Sequence, residues 1–181
     1  MNIEKLSESI DLFEITPKIF QDNRGYFLER YQHHLLEKTC GYKINFIQHN
    51  ESLSSQFVLR GLHYQEKNPQ SKLVTVIEGA VLDVVVDLRA SSPTFRRWFS
   101  IELNSELKNS LFVPKGFAHG FYVLSKKAIF SYMVDAPYDP ESEKTLLWND
   151  DELKINWGVK KPIISQKDAL GLMLKDAPKF P

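Results

Sequence analysis

The stretch Arg60-Gly61-Leu62-His63-Tyr64-Gln65 sets a potential base and a cation close together at the end of an apolar run. A neutral imidazole titrates near working pH and can take a proton, and a guanidinium fork meets anionic oxygens two at a time. The combination reads as the mouth of a site. Phe57-Val58-Leu59 is aromatic and β-branched enough for a buried strand, and Gly61 lets backbone or ligand approach without a Cβ in the way. Alternation along a strand puts Arg60, Leu62 and Tyr64 on one face and Leu59, Gly61, His63 and Gln65 on the other, unless Gly61 marks a bulge that re-aims them. The competing reading is a satisfied core histidine beside a surface arginine.

Two further segments carry chemistry. Val81-Leu82-Asp83-Val84-Val85-Val86-Asp87-Leu88-Arg89 places two carboxylates of like parity inside an apolar run. Carboxylates taken out of water must find donors. They either pair with Arg89, Lys72 or backbone amides for structural reasons, or line a polar interior that faces a ligand; the second reading is the stronger for Asp83. In Val113-Pro114-Lys115-Gly116-Phe117-Ala118-His119-Gly120-Phe121 a Pro-x-Gly turn hands a histidine to the next strand.

These groups need a scaffold, and the spacing predicts strands. Ile10 to Phe13 and Ile15 to Phe20 read as short strands interrupted by Pro17, and Asp22-Asn23-Arg24-Gly25 as the turn of a hairpin that returns over Tyr26 to Tyr31. His33 to Thr39 is helix-like, with Gly41 a natural stop. Strands follow at Ile44–His49, Phe57–Tyr64, Leu73–Ile77, Val81–Leu88, Trp98–Leu103, Leu111–Pro114, Phe121–Leu124, Ala128–Met133 and Thr145–Trp148. Their short, regular spacing argues an antiparallel sandwich or barrel over alternating βα units. A tail helix over Lys167 to Leu174 is expected, capped by Ser165. No internal repeat or low-complexity linker divides the chain, so residues 1–181 read as a single domain.

Composition excludes several classes. With 181 residues, 43% hydrophobic and 25% charged, the chain can bury a core without staples. Lys+Arg and Asp+Glu are equal at 23 each, so no global field recruits nucleic acid or an anionic membrane. The single cysteine, Cys40, leaves no intrachain disulfide and no thiolate cluster. No apolar run approaches the ~20 residues that span a bilayer, and Met1-Asn2-Ile3-Glu4-Lys5 does not open a signal peptide. A cytoplasmic enzyme or binding protein is expected.

Together with Gly79, the two histidine segments resemble the cupin jelly-roll barrels. Metal-binding cupins carry a second histidine two residues after the first, where this chain has Gln65, so His63 and His119 alone make a poor metal site. The ordered blocks Arg24-Gly25-x-Phe27-x-Glu29, Arg60 to Gln65, Lys72-Leu73-Val74, Asp83 to Arg89, Ser92-Pro93-Thr94-Phe95, Pro114 to Phe121 and Leu147-Trp148-Asn149-Asp150 resemble the dTDP-4-dehydrorhamnose 3,5-epimerase family from about Phe13 to about Asp168. The resemblance implies an all-β cupin jelly-roll with short flanking helices and no metal or other cofactor. It also implies a homodimer that exchanges N-terminal strands, and a nucleotide-linked 4-keto sugar as substrate. It gives His63 as general base, Asp168 as the carboxylate that orients it, Lys72 as the cation near the enolate oxygen and Tyr132 as the opposed acid. Asp83 and His119 become sugar-side residues, Arg24 and Arg60 phosphate contacts with Gln48 and Asn50 on the same approach, Phe27 and Glu29 base contacts from the partner subunit, and Tyr138 the stacking aromatic. Residue by residue, Tyr132 also reads as a buried strand aromatic, Asp168 as a first-turn helix residue and Lys72 as a loop-end charge.

The chain departs from the family's pattern at Met133, Pro137, Lys144 and Arg96. These changes leave the catalytic set whole but touch the base-binding wall, so a GDP-linked hexose or heptose is the alternative substrate. A C3-only epimerase, a ketoisomerase, a metal-dependent cupin oxygenase and a non-catalytic sugar-nucleotide binding module are the other readings.

Overall fold

The protein is described from a computed structural model covering residues 1–7, 10–159 and 161–181. The chain runs β1 (Asn2–Ser7), β2 (Ile10–Thr16), β3 (Ile19–Asp22), β4 (Gly25–Leu28), α1 (His33–Cys40), β5 (Gln48–Ser55) and β6 (Leu59–Gln65). It continues through β7 (Lys72–Glu78), β8 (Ala80–Asp87), β9 (Trp98–Asn104), β10 (Ser110–Val113), β11 (Phe117–Val123), β12 (Lys127–Val134), β13 (Glu143–Thr145) and α2 (Gln166–Ala169), with a 3-10 turn at Leu174–Asp176. A six-stranded sheet in the order β1-β2-β10-β7-β12-β5 faces a five-stranded sheet in the order β13-β6-β11-β8-β9, and every named pairing is antiparallel. This is the antiparallel architecture that the spacing predicts, in the cupin-like jelly-roll form that the resemblance implies.

Alternation explains the layers. Leu12, Val74, Val76, Val85, Phe121 and Phe130 fill the space between the sheets. The opposite-parity residues of the five-stranded sheet, among them Leu62, Val84, Val86 and Tyr122, pack outward against Leu146, Trp157 and Leu174 of the C-terminal segment. Helix α1 covers part of the six-stranded sheet's outer face by setting Leu36 against Phe13, Leu73 and Phe112. It ends where expected: Gly41 takes the left-handed conformation (φ 84°) and its N–H closes on the Glu37 carbonyl at 2.8 Å.

Several expected boundaries shift, each for a physical reason. The strand expected at Ile44–His49 begins at Gln48 and runs to Ser55. Ile44 is docked in the α1 cluster, where its N–H is taken by the Glu37 carboxylate at 2.8 Å. Strand β1 carries no signal in the sequence because it is a largely exposed, polar edge. The return strand of the hairpin stops at Leu28, three residues before Tyr31. The last sheet strand occupies Glu143–Thr145 in place of Thr145–Trp148, and the tail helix is one turn over Gln166–Ala169 in place of Lys167–Leu174. Beyond that turn the chain pairs with the barrel instead: Leu172 N–H reaches Thr145 O and Leu147 N–H reaches Leu172 O, both at 2.8 Å. A Cβ on Gly171 would lie 2.8 Å from the Leu147 nitrogen, so only glycine permits this approach.

Asp87 is structural. It is fully buried and accepts from Arg89 Nε (2.9 Å), Arg89 Nη2 (2.8 Å), Ser92 Oγ (2.6 Å), Thr94 Oγ1 (2.7 Å) and the Arg89 amide (3.0 Å). Burial alone would raise its carboxyl, but the bonds from Arg89, Ser92 and Thr94 outweigh it and hold the group below the ordinary carboxylate value. Asp87→Asn should destabilise the fold by about 3 kcal/mol in denaturant titrations while leaving the turnover of the folded protein unchanged. Because the folded value is depressed, this contribution is complete above the unfolded pKa of ~3.9 and is lost as pH falls through the folded value. A variant with wild-type stability would mean the network contributes nothing net.

Candidate active site

One cavity of about 420 Å³ opens between the sheets, lined in part by Gln48, Asn50, Arg60, His63, Lys72, His119, Tyr132, Tyr138 and Glu143. Its walls follow from register. On β5 Gln48, Asn50, Glu51 and Ser52 line it, and Tyr132 of β12 sits directly opposite Asn50. On β6 simple alternation would separate Arg60 from His63, yet both line the cavity. The cause is an irregularity in pairing with β11: His63 matches His119 and Arg60 matches Phe121, so three steps on β6 span two on β11. Gly61 is the bulge. A Cβ on it would lie 2.6 Å from Gly120 Cα and 2.6 Å from the His119 carbonyl, and its φ is 106°.

His63 Nε2 lies 2.6 Å from Asp168 Oδ1. A carboxylate there accepts the Nε2 proton, which leaves the lone pair of the neutral imidazole on Nδ1. Asp168 is itself fixed: its other oxygen accepts from Gly61 N–H at 3.3 Å, and its own N–H donates to Ser165 Oγ at 3.1 Å. Burial raises the Asp168 carboxyl, but the His63 bond and charge and the Gly61 amide more than offset it, and the group stays below the ordinary value. Asp168 is therefore a held carboxylate, and its place in the first turn of α2 is the means of delivery.

Lys72, the first residue of β7, is half-buried, with its Nζ 3.4 Å from the His63 carbonyl. Burial pushes its ammonium down to about 8, against the pull of Glu143 and Asp83. Asp83 accepts from His119 Nε2 at 2.9 and 3.0 Å; burial raises its carboxyl, and His119 and Lys72 hold it back. Tyr132 is half-buried and its hydroxyl has no hydrogen-bond partner among the described residues. Burial, reinforced by Glu143 and opposed by Arg60, raises its phenol, so it stays protonated at neutral pH. Arg60 donates through Nε to Ser54 Oγ at 2.9 Å, and Gln48 Nε2 to Asn50 Oδ1 at 2.7 Å.

His63 belongs to the five-stranded sheet and Tyr132 to the six-stranded one, so a potential base and a potential acid stand on opposite walls with a cation between the sheets. That arrangement can take a proton from one face of a bound molecule and return one to the other.

Arg24, Phe27 and Glu29 do not line this cavity. Arg24 is at the tip of the β3–β4 hairpin, paired with Asp22 at 2.6 Å, and Glu29 accepts from Gln32 at 2.8 Å. Phe27 is 64% exposed. Conversely, sequence reasoning misses Glu143, which accepts from Tyr138 Oη at 2.9 Å and pairs with Lys167, the neighbour of Asp168. An expected strand that starts two residues late hides it; with Thr145 opposite His63, same-face alternation puts Glu143 over the pocket. Among the described residues the one cluster with metal-ligand spacing is His33, His34 and Glu37 on α1, none of which lines the cavity.

A family model described as dTDP-4-dehydrorhamnose 3,5-epimerase matches residues 8–176. The chain is 45% identical over 172 residues to the dTDP-4-dehydrorhamnose 3,5-epimerase of Pseudomonas aeruginosa, covering 94% of this chain and 95% of that one. It superposes with a TM-score of 0.93 at 43% identity on a dTDP-6-deoxy-D-glucose-3,5-epimerase from Legionella pneumophila in complex with dTDP-4-keto-L-rhamnose, covering 98% and 94% of the two chains. It is also similar, at TM-score 0.87 and 30% identity over 93% and 86% of the chains, to a 3′-monoepimerase from Streptomyces bikiniensis in complex with dTDP-quinovose.

Proposed function

This chain belongs to the dTDP-4-dehydrorhamnose 3,5-epimerase family, and we propose that its cavity inverts C3 and C5 of a dTDP-linked 4-keto-6-deoxy sugar. It is a nucleotide-sugar 3,5-epimerase. Inverting a carbon beside a ketone needs a base on one face, an acid on the other and a cation where the enolate oxygen gathers charge. His63 takes the proton, Asp168 fixes its tautomer and stabilises the imidazolium, Lys72 stabilises the enolate oxygen, and Tyr132 returns a proton from the opposite wall. The observation that carries this reading is the placement of His63 and Tyr132 on facing sheets of one cavity.

Arg60, Gln48 and Asn50 receive the diphosphate approach, Asp83 and His119 the sugar, and Tyr138 stacks on the base. Arg24, Phe27 and Glu29 act in the cavity of a second copy, in a homodimer that exchanges its N-terminal strands. An exposed hairpin, bonded to itself and bearing Phe20 and Tyr26 beside Phe27, supports that assignment. The reading treats residues 1–181 as a single cupin-type domain resident in the cytoplasm, in keeping with the free thiol of Cys40. Among the described residues no helix is long and apolar enough to cross a membrane.

The deciding experiment incubates the protein with the dTDP-linked 4-keto sugar in heavy water and locates deuterium by proton NMR. Label and inversion at both C3 and C5 are expected; label at C3 alone would move this chain to the monoepimerase activity its Streptomyces neighbour carries.

The Lys72 ammonium gives a pH signature. Because only its charged form neutralises an enolate, turnover should fall as pH rises through about 8. Lys72→Arg, with a guanidinium that stays charged, should lose that limb. Stability should move the other way. The folded value of about 8 lies below the ordinary 10.5, so between them the unfolded chain holds the extra proton and stability rises with pH. A flat activity profile from pH 7 to 9 would remove Lys72 from the chemistry.

A further inference from the structure

We infer that Gln65 is the positioning residue that holds Tyr138 over the mouth of the cavity, and thereby sets how tightly the nucleotide end of the substrate is gripped. The inference rests on the reading of Tyr138 as the base-stacking aromatic. Gln65 is 4% exposed, and its whole amide is taken up by the rim. Nε2 donates to Pro137 O at 3.1 Å and Asn68 O at 2.9 Å, and Oε1 accepts from Asp139 N–H at 3.0 Å. Two of these bonds fall on the residues immediately before and after Tyr138. The ring itself is 53% exposed, and its hydroxyl reaches Glu143 at 2.9 Å. Its backbone is thus fixed from beneath by one buried side chain.

The chemistry of the clamp calls for glutamine. Two carbonyls need two donors and one amide needs an acceptor, and a carboxamide supplies all three from one planar group. Glutamate would give up both donors, and asparagine is one methylene short. The rim is tied again nearby, with Glu143 N–H on Asp139 O and Glu66 N–H on Ser142 O, both at 3.0 Å. Loosening Gln65 therefore frees the Tyr138 corner without releasing the strand that carries Glu143.

The test compares Gln65→Met, which keeps volume and removes the polar atoms, Gln65→Glu, Tyr138→Ala and the Gln65→Met/Tyr138→Ala double variant. Affinity for dTDP is read by calorimetry, with kcat and KM for the 4-keto sugar. Gln65→Met should raise Kd and KM about tenfold with kcat within about twofold, and Gln65→Glu, which sets a buried carboxylate oxygen against the Pro137 and Asn68 carbonyls, should raise them at least as much. The double variant should bind no more weakly than Tyr138→Ala alone, because Gln65 acts through that ring. Additive losses, an unchanged KM, or a lost kcat at unchanged KM would each overturn the inference. If Tyr138→Ala weakens dTDP binding and Gln65→Met does not, this inference alone fails. If Tyr138→Ala leaves Kd unchanged, the stacking role fails with it. Should Gln65→Met not fold, Gln65→Glu is judged by the same split: a raised KM at preserved kcat supports the clamp, and wild-type constants overturn it.

Discussion

His63→Asn should cut turnover by about 10²- to 10⁴-fold and stop solvent deuterium from entering the substrate at both C3 and C5. Both carbons flank the same ketone, and on the proposed reading one imidazole on one wall would serve them in turn. The side chain is held ready for proton abstraction, because with Nε2 committed to Asp168 at 2.6 Å the basic lone pair is on Nδ1. An asparagine in its place would preserve polarity and most of the volume but has no basic nitrogen. Asp168→Asn should also be costly, since both carboxylate oxygens accept, from His63 Nε2–H and Gly61 N–H, and an amide can keep only one of these bonds; with its NH2 turned to Nε2 the ring proton moves to Nδ1, and the charge that favours imidazolium is gone. NMR-monitored wash-in, run alongside product formation, measures both effects. Near wild-type wash-in at either carbon in His63→Asn would show that another group is the base.

What is legible in the sequence divides along physical lines. Strands buried on both faces, such as Lys72–Glu78 and Ala80–Asp87, announce themselves through β-branched runs, and the glycine stop of α1 through its turn chemistry. Strand β5 does not, because Gln48, Asn50, Glu51 and Ser52, which line the cavity, are all polar, and Leu53 is the strand's one apolar residue. A functional wall erases the alternation that marks a strand. Gly61 is legible as either a bulge or a regular strand residue; pairing with β11 chooses the bulge, since only long-range register says that three steps here meet two there. The partnership of Asp168 with His63 joins positions 105 residues apart and has no local signature, so resemblance alone points to it. Glu143 is lost to a two-residue error in one strand, which is enough to hide a side chain that points into a site.

Tyr132→Phe should separate exchange from inversion. Inverted product should fall by about 10²-fold or more, while deuterium exchange stays within about tenfold of wild type. His63 can still remove a proton and return one to the same face, but the donor on the facing sheet is gone. Two features suit Tyr132 to that role. Its hydroxyl is uncommitted among the described residues, and burial with Glu143 nearby raises its phenol, so the proton is in place at neutral pH and is given up only to a strong base such as a carbanion. Phenylalanine keeps the ring that packs against the apolar interior beside Phe130, at 6.1 Å between centroids, so folding should be little affected. The measurement is a paired time course, with label entering C3 and C5 followed against the change in ring-proton couplings that reports inversion. If inverted product forms at the wild-type rate, Tyr132 is a packing aromatic and the second proton comes from elsewhere. If exchange and inversion fall together, the phenol is needed before the proton is removed, as a donor to the enolate oxygen beside Lys72, and the acid on the far face would be a different group.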